Sequence, residues 1–474
     1  GEHVYELLKE TKAIFDPLGI FNAHKIVHAP PMDISLRYDK TTDGEAIKTY
    51  FDFSKQENIL RLAEKCSGSG DCRKTEITGG TMCPSFMATR DEKDTTRARA
   101  NMLRQFLTNS TKKNRFDHEE IKEVMDLCLS CKACKSECPS SVDVAKMKAE
   151  FLQHYYDAHG ASFRSSLIAH FTKSQRLGSY VAPFYNFVVN TPLLANVVKS
   201  ISGFARERSL PRVHFTTLST WANRQSRREN NRRVYLFSDE FTEYNDTSIG
   251  ITAYKLLTAL GYDVVIPKHV ESGRTFLSKG FVKKAQKIAQ QNIDLLKDLI
   301  TEDTPLLGIE PSAILTLRDE YIDLVASDQK AKARKLAENT LTIDEFLVHE
   351  IESGRIQEEQ FTKEPKFIKL HGHCYQKAYH LVGFTQKILS FPRHYSVEVI
   401  PSGCCGMAGS FGYEKEHYDI SMKIAELVLL PAVRKTSQDT LIAAAGTSCR
   451  HQIKDGAKRV SFHPVEILYN ALAV

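Results

Sequence analysis

Residues 128–139 read Cys-Leu-Ser-Cys-Lys-Ala-Cys-Lys-Ser-Glu-Cys-Pro, so Cys128, Cys131, Cys134 and Cys138 fall within eleven residues and a proline closes the run. Three thiolates at Cys-x-x-Cys spacing wrap one face of a cubane iron–sulfur cluster. A fourth followed by proline turns away and ligates a second cluster. Zinc sites more often use two separated Cys-x-x-Cys pairs, so the spacing selects iron–sulfur over zinc.

A smaller group precedes this run: Cys66-Ser67-Gly68-Ser69-Gly70-Asp71-Cys72, then Cys83-Pro84. Laid against the central run, Cys66, Ser69 and Cys72 take the three positions spaced by three, and Cys83-Pro84 takes the fourth. Crossed ligation then assigns Cys66, Cys72 and Cys138 to one cluster and Cys83, Cys128, Cys131 and Cys134 to the other. Ser69 stands where an eighth thiolate belongs. Either it ligates as an alkoxide, or a distant residue or water completes a 4Fe–4S cluster, or the site holds 3Fe–4S. A serine hydroxyl is a far weaker acid than a thiol and the poorer ligand, so an incompletely protein-ligated cluster is expected. The plainer reading makes Ser69 part of a glycine turn between Gly68 and Gly70.

Eleven cysteines in 474 residues gather at 66–138 and 374–449 with none between, which suits metal ligation in a reducing compartment better than a disulfide framework. The length suggests about three domains, and 42% hydrophobic with 26% charged residues is a globular composition. Net charge is +6, too small a bias to argue for nucleic acid. No secretory leader is visible, nor any run of about 18 apolar residues that would span a bilayer. A cytoplasmic location is expected, with peripheral contact at the inner face of the membrane as an addition.

Around the first cysteines the pattern is helical: 58–64 leads into Cys66, 96–107 follows Cys83, and 144–155 follows Cys138. A helix-laced two-cluster segment is an α-helical ferredoxin. The stretch Met82-Cys83-Pro84-Ser85-Phe86-Met87-Ala88-Thr89-Arg90-Asp91-Glu92, with Thr96-Arg97-Ala98-Arg99-Ala100, resembles the iron–sulfur subunit of glycolate oxidase. It also resembles the fused FAD-linked D-lactate and D-2-hydroxyglutarate dehydrogenases. Arg97 and Arg99 either balance cluster charge or are ordinary solvated helix arginines. The amino terminus begins in a helical pattern (Val4, Leu7, Leu8, Ile14) stopped by Pro17 and Gly19. The run Phe15-Asp16-Pro17-Leu18-Gly19-Ile20-Phe21-Asn22 resembles the last helix of FAD-linked oxidases of the vanillyl-alcohol-oxidase superfamily. That resemblance implies an FAD domain preceding residue 1.

From 160 to 231 the chain is basic, with an apolar, aromatic stripe over 177–198 interrupted by Pro183 and Pro192, which exclude a membrane-spanning helix. Such a stripe usually serves packing, between domains or against the flavin domain; the rival reading docks it on an anionic membrane within reach of a quinone. Arg206, Arg208, Arg224, Arg227 and Arg228 lack a nucleic-acid-binding fold around them, and no nucleic acid partner is expected.

Residues 232–474 alternate strand and helix twice, which argues for parallel sheets with ligands beyond the strand carboxyl ends. The first pass reads strand 233–237, helix 249–260, strand 264–267, helix 282–300 and strand 306–309. The second reads strand 367–370, helix 375–389, strand 397–400, helix 418–433 and strand 441–445. Glu240 corresponds to Cys374, Glu271-Ser272-Gly273 to Cys404-Cys405-Gly406, and Glu310-Pro311-Ser312-Ala313 to Gly446-Thr447-Ser448-Cys449. This duplication resembles the cysteine-rich CCG domain found in heterodisulfide reductase, in the glycolate oxidase iron–sulfur subunit and in anaerobic glycerol-3-phosphate dehydrogenase. The first repeat departs from it by carrying Glu240, Glu271 and Glu310 at or beside the cysteine places. Cys374, Cys404, Cys405 and Cys449, with His371 and His373 nearby and Glu240 and Glu271 facing them from the first repeat, form a second candidate site for one transition metal or for reactive thiols; buried free cysteines are the bland alternative. Charges at Arg274 and at Arg318-Asp319-Glu320 read as surface ion pairs.

The expected fold is α+β and multidomain, an α-helical ferredoxin followed by a duplicated α/β CCG-type domain with parallel sheets. Its boundaries are a flavin-domain tail at 1–30, the two-cluster segment at 31–159, the connector at 160–231, and 232–474 with repeats at about 232–325 and 365–455. The expected function is the electron-transfer portion of an FAD-dependent D-2-hydroxy acid dehydrogenase. It would take electrons from a fused or separate flavin domain and pass them to a quinone or carrier protein. The rivals are a heterodisulfide-reductase-like enzyme working at the CCG cysteines and a purely structural iron–sulfur protein.

Overall fold

The structure, a computed structural model, describes residues 1–34, 47–226 and 232–473. Arg227 and Arg228 lie outside the described residues. The chain divides into two units, Gly1–Lys48 and Thr49–Val474.

In the first unit, helix α1 (Glu2–Phe15) ends at Asp16. The buried Asp16 carboxylate accepts from the amides of Ile20 and Phe21 at 2.9 Å each and pairs with Lys12. Val4, Leu7, Leu8 and Ile14 form the stripe the sequence predicts, and all four are solvent-exposed.

The second unit opens with helices that frame the cysteine loops: α2 (Ile59–Glu64), α3 (Pro84–Thr89), α4 (Thr96–Asn109), α5 (Glu119–Asp126), α6 (Ala133–Ser136) and α7 (Val144–His159). Side-chain caps set three of the starts. Asn58 accepts from the Arg61 amide, Thr95 from that of Ala98 and Asp143 from that of Lys146. Pro84 begins α3 directly after Cys83, where its missing N–H costs nothing. The fully buried Glu150 of α7 accepts from the amides of Tyr50 (2.7 Å) and Phe51 (2.8 Å), anchoring the entry of the chain. Cys83 (φ 55°), Ser130 (φ 52°) and Lys132 (φ 62°) hold left-handed backbone that L-residues avoid. The cost is about 1 kcal/mol or more each, and such strain gathers where loop geometry serves a site.

Four short helices follow: α8 (Phe163–Ala169), α9 (Phe171–Tyr180), α10 (Ala182–Asn190) and α11 (Pro192–Ser202). Packing among the described residues uses only part of their apolar surface. Phe171 packs on Phe241 and Tyr185 against Gly178, small and polar residues point inward, and Leu177, Phe184, Leu193 and Ile201 are exposed. No helix among the described residues is long and apolar enough to cross a membrane.

Two parallel sheets complete the unit. The first has order β2-β1-β3-β4, with β1 Arg233–Phe237, β2 Asp263–Val265, β3 Leu306–Gly308 and β4 Thr340–Thr342. The second has order β6-β5-β7, with β5 Lys366–His371, β6 Tyr395–Val399 and β7 Leu441–Ala444. The shared order β2-β1-β3 and β6-β5-β7 is the topological form of the sequence duplication. One apolar core joins them, with Val234, Leu236 and Leu307 on one side and Ile368, Leu370 and Ala443 on the other.

Two predicted helices are broken in the structure. The 375–389 helix is split into Cys374–Ala378 and Val382–Leu389, with His380 at φ 59° between them. The 418–433 helix is split into Tyr418–Leu427 and Leu429–Lys435, because Pro431 has no N–H to continue the ladder.

Candidate metal centres

All eleven cysteines are unpaired thiols, and all seven between 66 and 138 are buried or half-buried. Soft sulfur donors shielded from water are the set that cluster iron takes. Cys83, at the start of α3, accepts from the Thr96 amide at 3.1 Å. Its thiol also lies within electrostatic reach of Cys134 from the central run. Ser140, two residues after Cys138, donates to Ser67, next to Cys66, at 3.1 Å. Glu137 ties the two groups by accepting from the amides of Thr81 (2.8 Å) and Met82 (3.0 Å). Burial pushes the Cys83 thiol up to about 12, so metal must displace a proton to bind there. Ser69 is exposed in its loop, its hydroxyl engaged with the Asp71 carboxylate.

Cations surround these thiols. Arg99 is only 2% exposed. Its guanidinium donates to the carbonyls of Asp94 (2.7 Å) and Val124 (3.0 Å) and to Ser85 (3.1 Å), within reach of Cys83. Arg97 pairs with Glu92 and faces Cys72 and Cys66. The reading of Arg99 as a solvated helix arginine is therefore wrong. Lys148 of α7 donates to the Cys128 carbonyl at 2.7 Å.

The second site lies beyond the carboxyl ends of β5, β6 and β7. Cys374 follows β5, Cys404 and Cys405 follow β6, and Cys449 follows β7. Their thiols are linked in the order Cys374–Cys404–Cys405–Cys449, with His371 against Cys405. A ring nitrogen of His371 and the sulfurs of Cys405 and Cys449 lie within 4.8 Å of one another. Ser402 bonds Nδ1 of His371 at 2.7 Å, and Nε2 is buried with no oxygen or nitrogen partner among the described residues. Burial drives this imidazole down to about 4, so it is neutral at ordinary pH. The hydrogen bond from Cys404 draws the Cys374 thiol down. A neutral imidazole with a buried nitrogen among sulfurs is a fit for a transition metal.

The glycines here leave no alternative. A Cβ on Gly406 (φ 84°) would stand 2.3 Å from the Ser421 carbonyl oxygen, and one on Gly446 would stand 2.4 Å from the His373 ring. His373 itself caps the helix Cys374–Ala378, its Nδ1 accepting from the Tyr375 amide at 3.1 Å. The two histidines therefore divide, one toward the thiols and one into a cap.

The acids of the first half are placed unequally. Glu310 reaches across: it accepts from the Thr447 amide at 2.8 Å, lies 3.9 Å from His373 Nε2, and is within electrostatic reach of Cys449. Glu240 is buried on its own side, accepting from Ser272 Oγ at 2.8 Å. Glu271 accepts from Thr172, and burial raises it to about 7. Glu240 and Glu271 do not join the thiols.

A family model described as "4Fe-4S dicluster domain" matches residues 65–143. The segment is therefore similar to 4Fe–4S dicluster domains. Along 99% of its length the chain is 26% identical to the D-2-hydroxyglutarate dehydrogenase of Escherichia coli strain K12, of which the match covers 49%. It is 25% identical over 67% of its length to one subunit of the anaerobic glycerol-3-phosphate dehydrogenase of the same organism, covering 79% of that protein. With the glycolate oxidase iron-sulfur subunit of that organism it shares 22% identity, over 88% of this chain and 95% of the relative. The chain thus spans about half the length of the D-2-hydroxyglutarate dehydrogenases it matches, and its homologues support an oxidoreductase role. No solved structure matches.

The dicluster domain abuts the thiol site. Leu127 and Leu129, flanking Cys128, pack with Cys374 and Cys404, and Cys131 lies within electrostatic reach of Cys374. Lys132, 3% exposed, pairs with Glu320 at 2.8 Å and with Asp319, and its ammonium stands 5.8 Å from the centre of the Tyr375 ring. Arg274 joins Glu320 at 2.8 Å. The charges at 274 and 319–320, expected on the surface, thus form a largely buried network that docks the central cysteine loop. Sequence reasoning also missed Lys377. It donates to the carbonyls of Ser402 and Gly403, the latter at 2.7 Å, beside all four thiols. Neither lysine carried a spacing signal.

Proposed function

We propose that this chain is the iron–sulfur electron-transfer portion of an FAD-dependent D-2-hydroxy acid dehydrogenase of D-2-hydroxyglutarate, D-lactate or glycolate type. In this reading Cys83, Cys128, Cys131 and Cys134 hold one cluster and Cys66, Cys72 and Cys138 the other, which is either a 4Fe–4S cluster lacking one protein ligand or 3Fe–4S. Such clusters pass electrons singly. The flavin that takes hydride from the 2-carbon belongs to a half outside this chain, and the acceptor is a quinone or carrier protein in a cytoplasmic setting. Residues of this chain insulate and position: Arg99 and Lys148 set positive charge beside thiolate groups, and Lys132 holds the central loop on the α/β half. The alignment with D-2-hydroxyglutarate dehydrogenases over nearly the whole chain is the observation that carries the reading.

The test uses the longer polypeptide containing both halves. With D-2-hydroxyglutarate, D-lactate and glycolate offered in turn, one should bleach the flavin and reduce an added acceptor. Cys131→Ser should leave flavin bleaching intact and remove acceptor reduction. Undiminished acceptor reduction in that variant would overturn the proposal.

The convergence of four thiols with His371 favours one second reading, a heterodisulfide-reductase-like enzyme whose chemistry occurs at Cys374, Cys404, Cys405 and Cys449. That reading requires disulfide reduction by this chain without a flavin half, lost in Cys404→Ser. Its absence removes the alternative.

A further inference from the structure

Helices α9 to α11 are built inside out. Gln175, Gly178, Ser179, Ala182, Ala195, Lys199 and Ser202 are buried, Phe171, Tyr185, Val188, Val189 and Val198 are half-buried, and the remaining large apolar side chains face solvent. Leu177, Phe184, Leu193 and Ile201 are each 68% exposed or more, and Tyr180, Phe187 and Val197 more than half. A globular protein does not leave such a continuous apolar face in water without something to cover it.

Charge narrows what covers it. From 160 to 226 the chain carries Arg164, Lys173, Arg176, Lys199, Arg206, Arg208, Arg212 and Arg224 against the single acid Glu207. At the end of α11, a cavity of about 520 Å³ is lined by Lys199, Arg206, Arg208, Lys454, Lys458 and Arg459, with Glu207 and Asp455. Several of these are committed. Arg208 bonds Gly412, Gln452 and Ser421, Arg459 bonds the carbonyls of Thr436, Ser437 and Thr440, Lys199 bonds the Arg206 carbonyl, and Asp455 bonds Ser209. Arg206, Lys454 and Lys458 are exposed and make no side-chain hydrogen bond or ion pair among the described residues. Three unanswered cations at the foot of an apolar helical face match the two parts of an anionic phospholipid.

We propose that α9–α11 and this basic cavity form a docking surface for an anionic lipid bilayer. The apolar side chains enter the acyl boundary, and Arg206, Lys454 and Lys458 take phosphate headgroups. The inference goes beyond the reading above and stands on its own geometry, and vesicle binding is measured without substrate, so its failure leaves the electron-transfer proposal intact.

The 474-residue chain is sedimented with vesicles of phosphatidylcholine alone and of phosphatidylcholine with phosphatidylglycerol. Binding should require the anionic lipid and fall with added salt. Because all the substituted side chains are exposed, the variants should keep the wild-type circular dichroism. Lys454→Glu with Lys458→Glu should weaken binding about tenfold, and Leu193→Ser with Val197→Ser should weaken it at least as much. Equal binding to both vesicle types, or binding untouched by either variant pair, overturns the proposal. So does a wild-type dimer that ignores vesicles and is broken by the Leu193→Ser, Val197→Ser pair, since the face would then belong to a second copy of the chain.

Discussion

The half built on β1–β4 and the half built on β5–β7 share a strand order and differ in what stands at the strand ends. In the first, each acid is answered by hydrogen bonds: Glu240 by Ser272 of its own half, Glu271 by Thr172 of α9, and Glu310 by Ser312 and, across the halves, the Thr447 amide. In the second, the thiols answer one another, and Nε2 of His371 meets sulfur but no oxygen or nitrogen partner among the described residues. Buried polar groups are ordinarily satisfied. A duplicated scaffold can therefore keep its geometry while one copy closes its site with hydrogen bonds and the other leaves a donor set open. The open copy is also the one that touches the dicluster domain, through Cys374, Cys404, Leu127 and Leu129.

The sharpest way to break this comparison is to remove the open donors. Cys404→Ser with Cys405→Ser should abolish any metal bound in excess of the two clusters, while Glu240→Gln with Glu271→Gln should leave it unchanged. Elemental analysis of both proteins decides, and a loss in the second variant would mean that the acids are ligands after all.

A smaller effect comes from Glu271. Its folded-state value near 7 lies above that of an ordinary glutamate, so the folded chain keeps a proton that the unfolded chain has already released. Stability should therefore decline as pH rises from about 4.5 to about 7, by roughly 3 kcal/mol, and stay low above that range. Glu271→Gln should flatten this slope relative to wild type in urea melts at pH 5 and pH 8; parallel profiles would contradict the assignment.

The smallest effect tests the link between the halves. Glu310→Gln keeps an acceptor for the Thr447 amide and removes the charge facing His373, so the loss should be about 1 kcal/mol. Because Glu310 also accepts from the Ser312 amide at 3.3 Å, a loss several times larger would show that its charge, rather than its hydrogen bonds, ties the two halves.

Much of this contrast was legible in the sequence. The strands at 233–237, 306–309 and 367–370 read as apolar runs and lie where expected, because buried parallel strands need little else. β4, a three-residue Thr-Leu-Thr strand, is too short to carry any alternation. The split at His380 comes from single-residue backbone geometry that a helical period does not report, whereas the split at Val428 follows from Pro431, a helix breaker that the period overrode. Cysteine spacing marked the thiols because ligand geometry is local. Arg99, Lys132 and Lys377 stayed hidden because their burial is made by elements distant in sequence. His371 and His373 looked alike in the chain and are separated only by the turn that makes one of them a cap.

The direct test of the whole account is iron and acid-labile sulfide in the anaerobically purified chain, read together with EPR after stepwise reduction. Two crossed clusters predict about seven to eight irons per chain and two distinguishable signals, one of which is lost in Cys83→Ala along with the cluster of the central run. A colourless protein without iron, or a Cys83→Ala variant that retains both signals, would contradict it.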